Sequence, residues 1–199
     1  MRALTAPNLI HGAVESCFNG ERERNLWRID ILNGRYYILI LSRQVPNLES
    51  FVEQFGYEGD TSTYATKKYQ AFIDSISDGQ EWRFRLVANP TSSVRIKKND
   101  GTSKSKIVAH ITPRYQKEWL MKKAEANGFL LKENEFDVVK NEWFTFNKQH
   151  RGAKVTMLTV TFEGTLRVND QNLFKNLLTA GLGREKAFGM GMLTVVRAG

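Results

Sequence analysis

Cysteine is almost absent from this chain. Cys17 stands alone among 199 residues, so no internal disulfide and no thiolate metal cluster is available, a usage that suits a reducing cytoplasm. Long apolar runs are missing as well. The stretch YYILIL, Tyr36 to Leu41, is far short of the roughly 20 residues a helix needs to span a bilayer. The start MRALTAPNLIHG lacks a continuous apolar core, so no secretory leader is expected. Histidine occurs three times, at His11, His110 and His150, and no carboxylate–histidine cluster has ligand spacing, so neither a metal nor a cofactor is expected. Acidic charge is short too: 21 Asp and Glu against 29 Lys and Arg leave a net charge of +8 and a pI near 9.6. The remaining composition is that of a globular protein whose natural partners are polyanions.

The basic charge is concentrated. Nine Lys and Arg residues lie between Arg95 and Lys123 (Arg95, Lys97, Lys98, Lys104, Lys106, Arg114, Lys117, Lys122, Lys123) against Asp100 and Glu118, a local excess of +7. Clustering of this kind is the electrostatic footprint of a phosphate-binding surface, with a solvated loop and helix face as the plain alternative.

The stretch that organises the chain is FEGTLRVNDQNLFKNLLTAGLGREKAFGMGMLTV, starting at Phe162. Val160, Phe162, Leu166 and Val168 alternate as in a half-buried strand. Asn169 or Asp170 then caps a helix whose stripe is Leu173, Phe174, Leu177 and Leu178, and Gly181 ends it. The loop beyond carries Gly181, Gly183, Gly189 and Gly191 with Arg184 and Lys186 between them. Nucleotide-cradling loops run from a strand into a helix, so that helix amides face the phosphate; this loop leaves a helix and enters a strand. No Gly-Lys-Ser/Thr triplet occurs. The four glycines read as structural, letting the loop lie flat against a neighbouring helix.

Earlier segments follow in order. Ala6 to Phe18 reads as a helix with Pro7 in its first turn and a buried stripe of Ile10, Ala13, Val14 and Cys17, which leaves His11 at the stripe's edge. Leu26–Asn33 and Arg35–Ser42 form a hairpin about Asn33-Gly34. Asn47–Phe55 is a short helix, and Lys67–Ser77 reads as a strand followed by one helical turn. Trp82, Phe84 and Leu86 alternate in a strand that Pro90 stops. A hairpin through Lys106–His110, a helix over Pro113–Ala126 closed by Gly128, and strands over Phe136–Phe146 and Lys154–Val168 complete the set. Each half approximates β-α-β-β-α-β. The expected class is α+β, two tandem ferredoxin-like domains with antiparallel sheets: residues 1–80 carrying the His11 helix, and 81–199 carrying the basic surface and the glycine-rich loop. Trp27, Trp82, Phe84, Trp119, Phe144 and Phe162 fall at core spacings and are assigned to packing rather than base stacking.

The helical histidine in APNLIHGAVESCF, with Phe18 seven residues later, GERERNLWRID, FRLVANP, EWLMKK, and FEGTLRV leading to GLGREKAFGMGMLTV resemble, as an ordered set, the CasE family. These are CRISPR RNA-processing endoribonucleases of type I-E Cascade, in the repeat-associated mysterious protein superfamily. The resemblance covers essentially the whole chain. It implies metal-independent cleavage of precursor CRISPR RNA at the 3′ base of the repeat stem-loop. Attack by a ribose 2′-hydroxyl would give a 2′,3′-cyclic phosphate or 3′-phosphate and a 5′-hydroxyl. His11 is the candidate catalytic residue, since an imidazole can remove or deliver the protons this reaction moves. The implied partners are repeat stem-loop RNA and the other Cascade subunits, with the protein in the cytoplasm, monomeric when free, and away from membranes.

Other positions are carried over one at a time. Lys122 and Lys123 stand where the family has an arginine pair on the RNA stem, and as point charges they would grip phosphates rather than read bases. Lys148, Arg151 and Lys154 lie on the strand-joining loop NKQHRGAK, which in the family approaches the scissile site. Arg95, Lys97 and Lys98 belong to the basic run. Arg22, Arg24 and Arg28 are candidate contacts with the stem base, with ion pairs to Glu21 and Glu23 as the competing account. Two departures stand out. Asn8 occupies the place of an assisting family tyrosine and cannot exchange a proton as a phenol does. Only Met1 to Ala6 precede the helix where the family opens with a strand, so upstream sequence supplying that strand is expected. The competing functions are a catalytically weak or inactive repeat-RNA-binding subunit and a basic protein-interaction module.

Overall fold

The computed structural model describes residues 7–21, 23–56, 64–97, 101–147 and 154–198. Its elements are α1 (Pro7–Ser16), β1 (Leu26–Leu32), β2 (Arg35–Leu41), α2 (Glu49–Phe55), α3 (Gln70–Asp74), β3 (Glu81–Ala88), β4 (Thr91–Lys97), β5 (Ser103–Ala109), α4 (Pro113–Glu125), β6 (Phe129–Leu130), β7 (Phe136–Asn147), β8 (Lys154–Val168), α5 (Gln171–Ala180) and β9 (Leu193–Arg197), with a 3₁₀ turn at Lys186–Phe188.

Alternation writes the central sheet directly. In β3 the residues Trp82, Phe84, Leu86 and Ala88 are buried while Glu81 and Arg83 face out, and in β8 Leu158, Val160, Phe162, Leu166 and Val168 take the same side. That side is covered by Trp119, Leu120 and Ala124 of α4 and by Phe174, Leu177 and Leu178 of α5, forming the main core. Burying a side chain such as Phe162 or Phe174 contributes about 2 to 3 kcal/mol. The helix that covers it starts as its sequence dictates, with the Asp170 carboxylate accepting from the amides of Asn172 and Leu173.

Every strand pairing in this sheet is antiparallel, and β3 lies between β8 and β9. The outer edge of β8 is paired first by β6 and then by β7, so those two act as one edge strand broken by a turn. Gly164 sits opposite both Phe84 and Phe136. A Cβ there would lie 2.3 Å from the Glu135 carbonyl oxygen and 2.4 Å from the Phe136 Cα, so only glycine admits the returning edge. The two rings meet across the gap, 6.5 Å between centroids. The series β3-α4-β7-β8-α5-β9 is a complete ferredoxin-like unit.

The N-terminal half contributes α1, β1, β2 and α2, helix–strand–strand–helix, around Ile10, Val14, Cys17, Trp27 and Phe51. Asn33 and Gly34 both take left-handed backbone at the β1–β2 turn, as the Asn-Gly pair requires. The strand expected over Lys67–Ser77 does not form: no strand is present there, and Gln70–Asp74 is helical. The error was one of period. Tyr69, Phe72, Ile73 and Ile76 lie three and four apart, and their stripe joins the main core, with Phe72 5.5 Å from Trp82 ring to ring.

The sheet face away from α4 and α5 receives the N-terminal half. There Arg28 of β1 is 2% exposed, with Nε and Nη2 donating to the two Asp30 oxygens (2.9 and 2.7 Å), Nη1 to the carbonyls of Arg85 (3.1 Å) and Met192 (3.0 Å), and Nη2 also to Thr194 Oγ1 (2.8 Å). Asp30 is also 3.2 Å from Arg85 Nε, and Arg85 in turn pairs with Glu163. One guanidinium thus ties β1 to β3 and β9. The expectation of Arg28 as an RNA contact, or as a partner of Glu21 and Glu23, is overturned: its burial removes it from any ligand, and its carboxylate is Asp30. Replacing Arg28 with Met leaves Asp30 half-stranded and cuts the inter-half bonds; a loss of about 3 kcal/mol is expected by urea unfolding, against about 1 kcal/mol or less for Arg85→Met on its more exposed side chain.

Candidate functional site

His11 lies on the first turns of α1, half-buried, beside the buried pair Ile10 and Val14. Its Nδ1 is sealed from solvent and has no hydrogen-bond partner. Nε2 is therefore the nitrogen left to exchange a proton with a bound molecule. Asn8, one turn earlier, is half-buried as well.

The element packed against α1 is the 3₁₀ turn of the glycine-rich loop, which also contacts β1. This is how two distant ends of the chain meet. The loop lies on the side chains of β1 as well as on helices: its 3₁₀ turn packs on α1, and a Cβ at Gly183 would stand 3.4 Å from the Trp119 ring of α4. At Gly189 the backbone has φ +78° and a Cβ would come within 2.7 Å of the Trp27 ring; at Gly181 it would come within 2.8 Å of Leu26 Cδ2. At Gly191 a Cβ would lie 2.6 Å from the Leu182 carbonyl oxygen. All four glycines make close structural contacts.

Lys186 opens the 3₁₀ turn. Its Nζ donates to the Gly183 carbonyl at 3.0 Å. Burial, reinforced by the nearby Arg24 guanidinium, pulls the ammonium below the usual lysine range. Arg24 itself is exposed, and Arg22 lies outside the described residues. Two residues further on, the Phe188 ring packs on Phe146 of β7, 5.0 Å between centroids. Phe146 pairs with Val155, so Lys154, the exposed first residue of β8, belongs to this same end of the sheet. Lys148 and Arg151 lie outside the described residues.

The other basic positions are spread out. Lys122 and Lys123 are exposed on the last turn of α4, where their charges also suit the helix C-terminus. The chain then enters β6, and Phe129 pairs with Val168, the far end of β8 from Lys154. Fourteen strand steps separate those ends, on the order of 45 Å, and the lysine pair lies toward the Val168 end. The β4–β5 hairpin leaves the sheet at the end of β3 and exposes Arg95 and Lys97, with Lys98 outside the described residues. Its register sets Arg95 opposite Ser105 and Lys97 opposite Ser103, while Lys104 and Lys106 face Ile96 and Val94 on the other side. The basic run is therefore two faces of a projecting ribbon plus a helix. Lys117 leaves the set, since it donates to the Glu133 carbonyl at 2.8 Å and lies over the Phe136 ring; Arg114 pairs with Glu118.

Among the described residues no group of three His, Cys, Asp or Glu side chains could hold a metal ion. Of the six aromatics assigned to packing, five are buried and Phe144 packs against the cluster of Phe146, Met157 and Met190. No helix among the described residues is long and apolar enough to cross a membrane. What sequence reasoning undervalued was Lys186: its position inside a glycine loop was visible, but its convergence with α1 was not.

The chain is 29% identical over 191 residues to the CRISPR-associated endoribonuclease Cse3 of Thermus thermophilus, an alignment covering 92% of this chain and 84% of that protein. The solved structure of CRISPR endoribonuclease Cse3 bound to a 19-nucleotide RNA matches 98% of this chain and 92% of its own, at 27% identity and a TM-score of 0.74. Thermus thermophilus Cse3 bound to an RNA representing a pre-cleavage complex matches 98% and 91%, at 25% identity and a TM-score of 0.73. The likeness runs through both halves, so the fold is that of two tandem ferredoxin-like domains in the α+β class. A family model described as CRISPR associated protein matches residues 1–197, and the chain belongs to that family.

Proposed function

We propose that this protein is a metal-independent endoribonuclease that cuts precursor CRISPR RNA at the 3′ base of the repeat stem-loop and stays with its product in Cascade, in the cytoplasm. The observation that carries the reading is the meeting of the His11 helix with the glycine-rich loop, at the end of the sheet where the β7–β8 connection emerges. The relatives named above, one of them bound to RNA before cleavage, support the same substrate class.

The chemistry follows from what the site presents. The ribose 2′-oxygen attacks the adjacent phosphorus and the bond to the 5′-oxygen breaks, leaving a 2′,3′-cyclic phosphate and a 5′-hydroxyl. Nε2 of His11 is the accessible nitrogen, because Nδ1 is sealed from solvent. With both ring nitrogens protonated, the imidazolium donates its Nε2 proton to the departing 5′-oxygen and is left as neutral imidazole. Asn8 adds a hydrogen bond but no proton, so the burden rests on His11 and on cations. Lys154, Arg95 and Lys97, with Lys98, Lys148 and Arg151, supply the basic surface nearer the scissile bond. Lys122 and Lys123, on the last turn of α4, grip phosphates of the stem. A boundary near residue 80 between two domains belongs to this reading, supported by separate hydrophobic clusters around Trp27 and around Trp82, with α3 already contributing to the second.

Incubating the protein with its cognate repeat RNA in EDTA is expected to yield cleavage with a 5′-hydroxyl product. Tight, salt-sensitive binding without cleavage would instead indicate a repeat-binding subunit, and no binding a protein-interaction module. His11→Ala should cost roughly 10²-fold or more in single-turnover rate with affinity nearly intact. Replacing Lys122 and Lys123 together by Ala should weaken binding and flatten its dependence on salt by about two phosphate contacts in a titration from low to high ionic strength.

A further inference from the structure

Among the described residues, Arg24 and Lys186 are two like charges close enough to disfavour each other, and neither appears in an ion pair. Holding two unpaired cations together costs free energy that a bound anion recovers. The position of Lys186 is built. Its stem fills the space beside two glycines: a Cβ on Gly181 would lie 3.0 Å from its Cε, and one on Gly191 3.2 Å from its Cγ. Its ammonium spends one N–H on the Gly183 carbonyl and keeps two free. The preceding residue, Glu185, takes a left-handed backbone at φ 61°, a conformation that a non-glycine residue seldom adopts, as the loop turns Lys186 inward. The 3₁₀ turn that Lys186 opens is packed on α1, the helix of His11.

We propose that Lys186, with Arg24 beside it, holds the scissile phosphodiester and neutralises the charge that develops on its non-bridging oxygens; this rests on the endoribonuclease reading. In the step it serves, the bond from the 2′-oxygen to phosphorus forms as the bond to the 5′-oxygen breaks. The 2′-hydroxyl proton passes to solvent, imidazolium His11 gives its Nε2 proton to the 5′-oxygen and is left neutral, and Lys186 keeps its own protons. Its contribution is electrostatic, from donors fixed before the reaction begins. Partial desolvation strengthens that interaction, because the same surroundings that pull the ammonium's pKa down also reduce screening of the phosphate charge.

The competing account is that Lys186 only staples the loop. Lys186→Met separates the two, since methionine fills the same channel beside Gly181 and Gly191 without an ammonium. With saturating protein and repeat RNA, the variant should keep its melting temperature and lose roughly 10²-fold in single-turnover cleavage. Substituting sulfur for one non-bridging oxygen of the scissile phosphate should slow the wild type in one diastereomer, and this stereospecific effect should shrink in Lys186→Met. Cleavage within twofold of wild type, or a slower rate with an undiminished sulfur effect, overturns the proposal while leaving the His11 reading intact. If Lys186→Met does not fold, Arg24→Gln, on an exposed side chain, takes the same sulfur test and is expected to show the same shrinkage; an undiminished effect there counts against the cation pair. A wild type that binds but never cuts the repeat overturns the endoribonuclease reading and this proposal with it.

Discussion

The buried guanidinium of Arg28 is the contact on which the arrangement depends. A charge taken out of water is tolerated only when its donors are met, and four partners meet them: the Asp30 carboxylate, the carbonyls of Arg85 and Met192, and the Thr194 hydroxyl. Three of the four belong to strands of the C-terminal sheet or the chain entering them. The bond set is directional, so it specifies how β1 lies on that sheet as well as that it lies there. An apolar contact of equal area would permit sliding; a forked donor bonded to two separate carbonyls does not.

From that docking the rest follows. With β1 held, Leu26 and Trp27 form the surface on which the glycine-rich loop is laid, and the absence of a side chain at Gly181 and Gly189 is what lets it come so close. The loop then carries the 3₁₀ turn to α1. Phe188 seats on Phe146, which fixes the same turn to the long β7–β8 hairpin. Three segments remote in sequence, around His11, around Phe146 and around Lys186, thereby share one end of the molecule.

Much of this was legible beforehand because it is local. The alternation in β3 and β8, the Asp170 cap, the Asn33-Gly34 turn and the edge position of His11 each depend on residues within a few positions of one another. Lys67–Ser77 misled because four apolar residues at helical spacing sit in a short segment, where periods of two and of 3.6 are hard to separate. Arg28 misled for another reason. The acidic residues before it, Glu21 and Glu23, offered ion pairs, and nothing local indicates that strands of another domain will close over it. The basic run from Arg95 to Lys123 looked like one surface and resolves into a ribbon with two faces, a helix end and two lysine or arginine side chains already engaged by carboxylates or carbonyls.

By itself the sequence determined the kind of most elements, the apolar face each would bury, and the lack of disulfide and thiolate metal chemistry. It determined these because hydrophobic period, capping and side-chain chemistry act over a few residues. Only the tertiary structure decided which elements share an end of the sheet: that Lys122 and Lys123 lie toward the Val168 end of β8, away from Lys154, and that the turn opened by Lys186 packs on the histidine helix. Those placements are set by inter-domain hydrogen bonds and by close backbone approach at glycine, interactions between residues more than 150 positions apart in the case of Arg28 and Met192, and no local pattern records them.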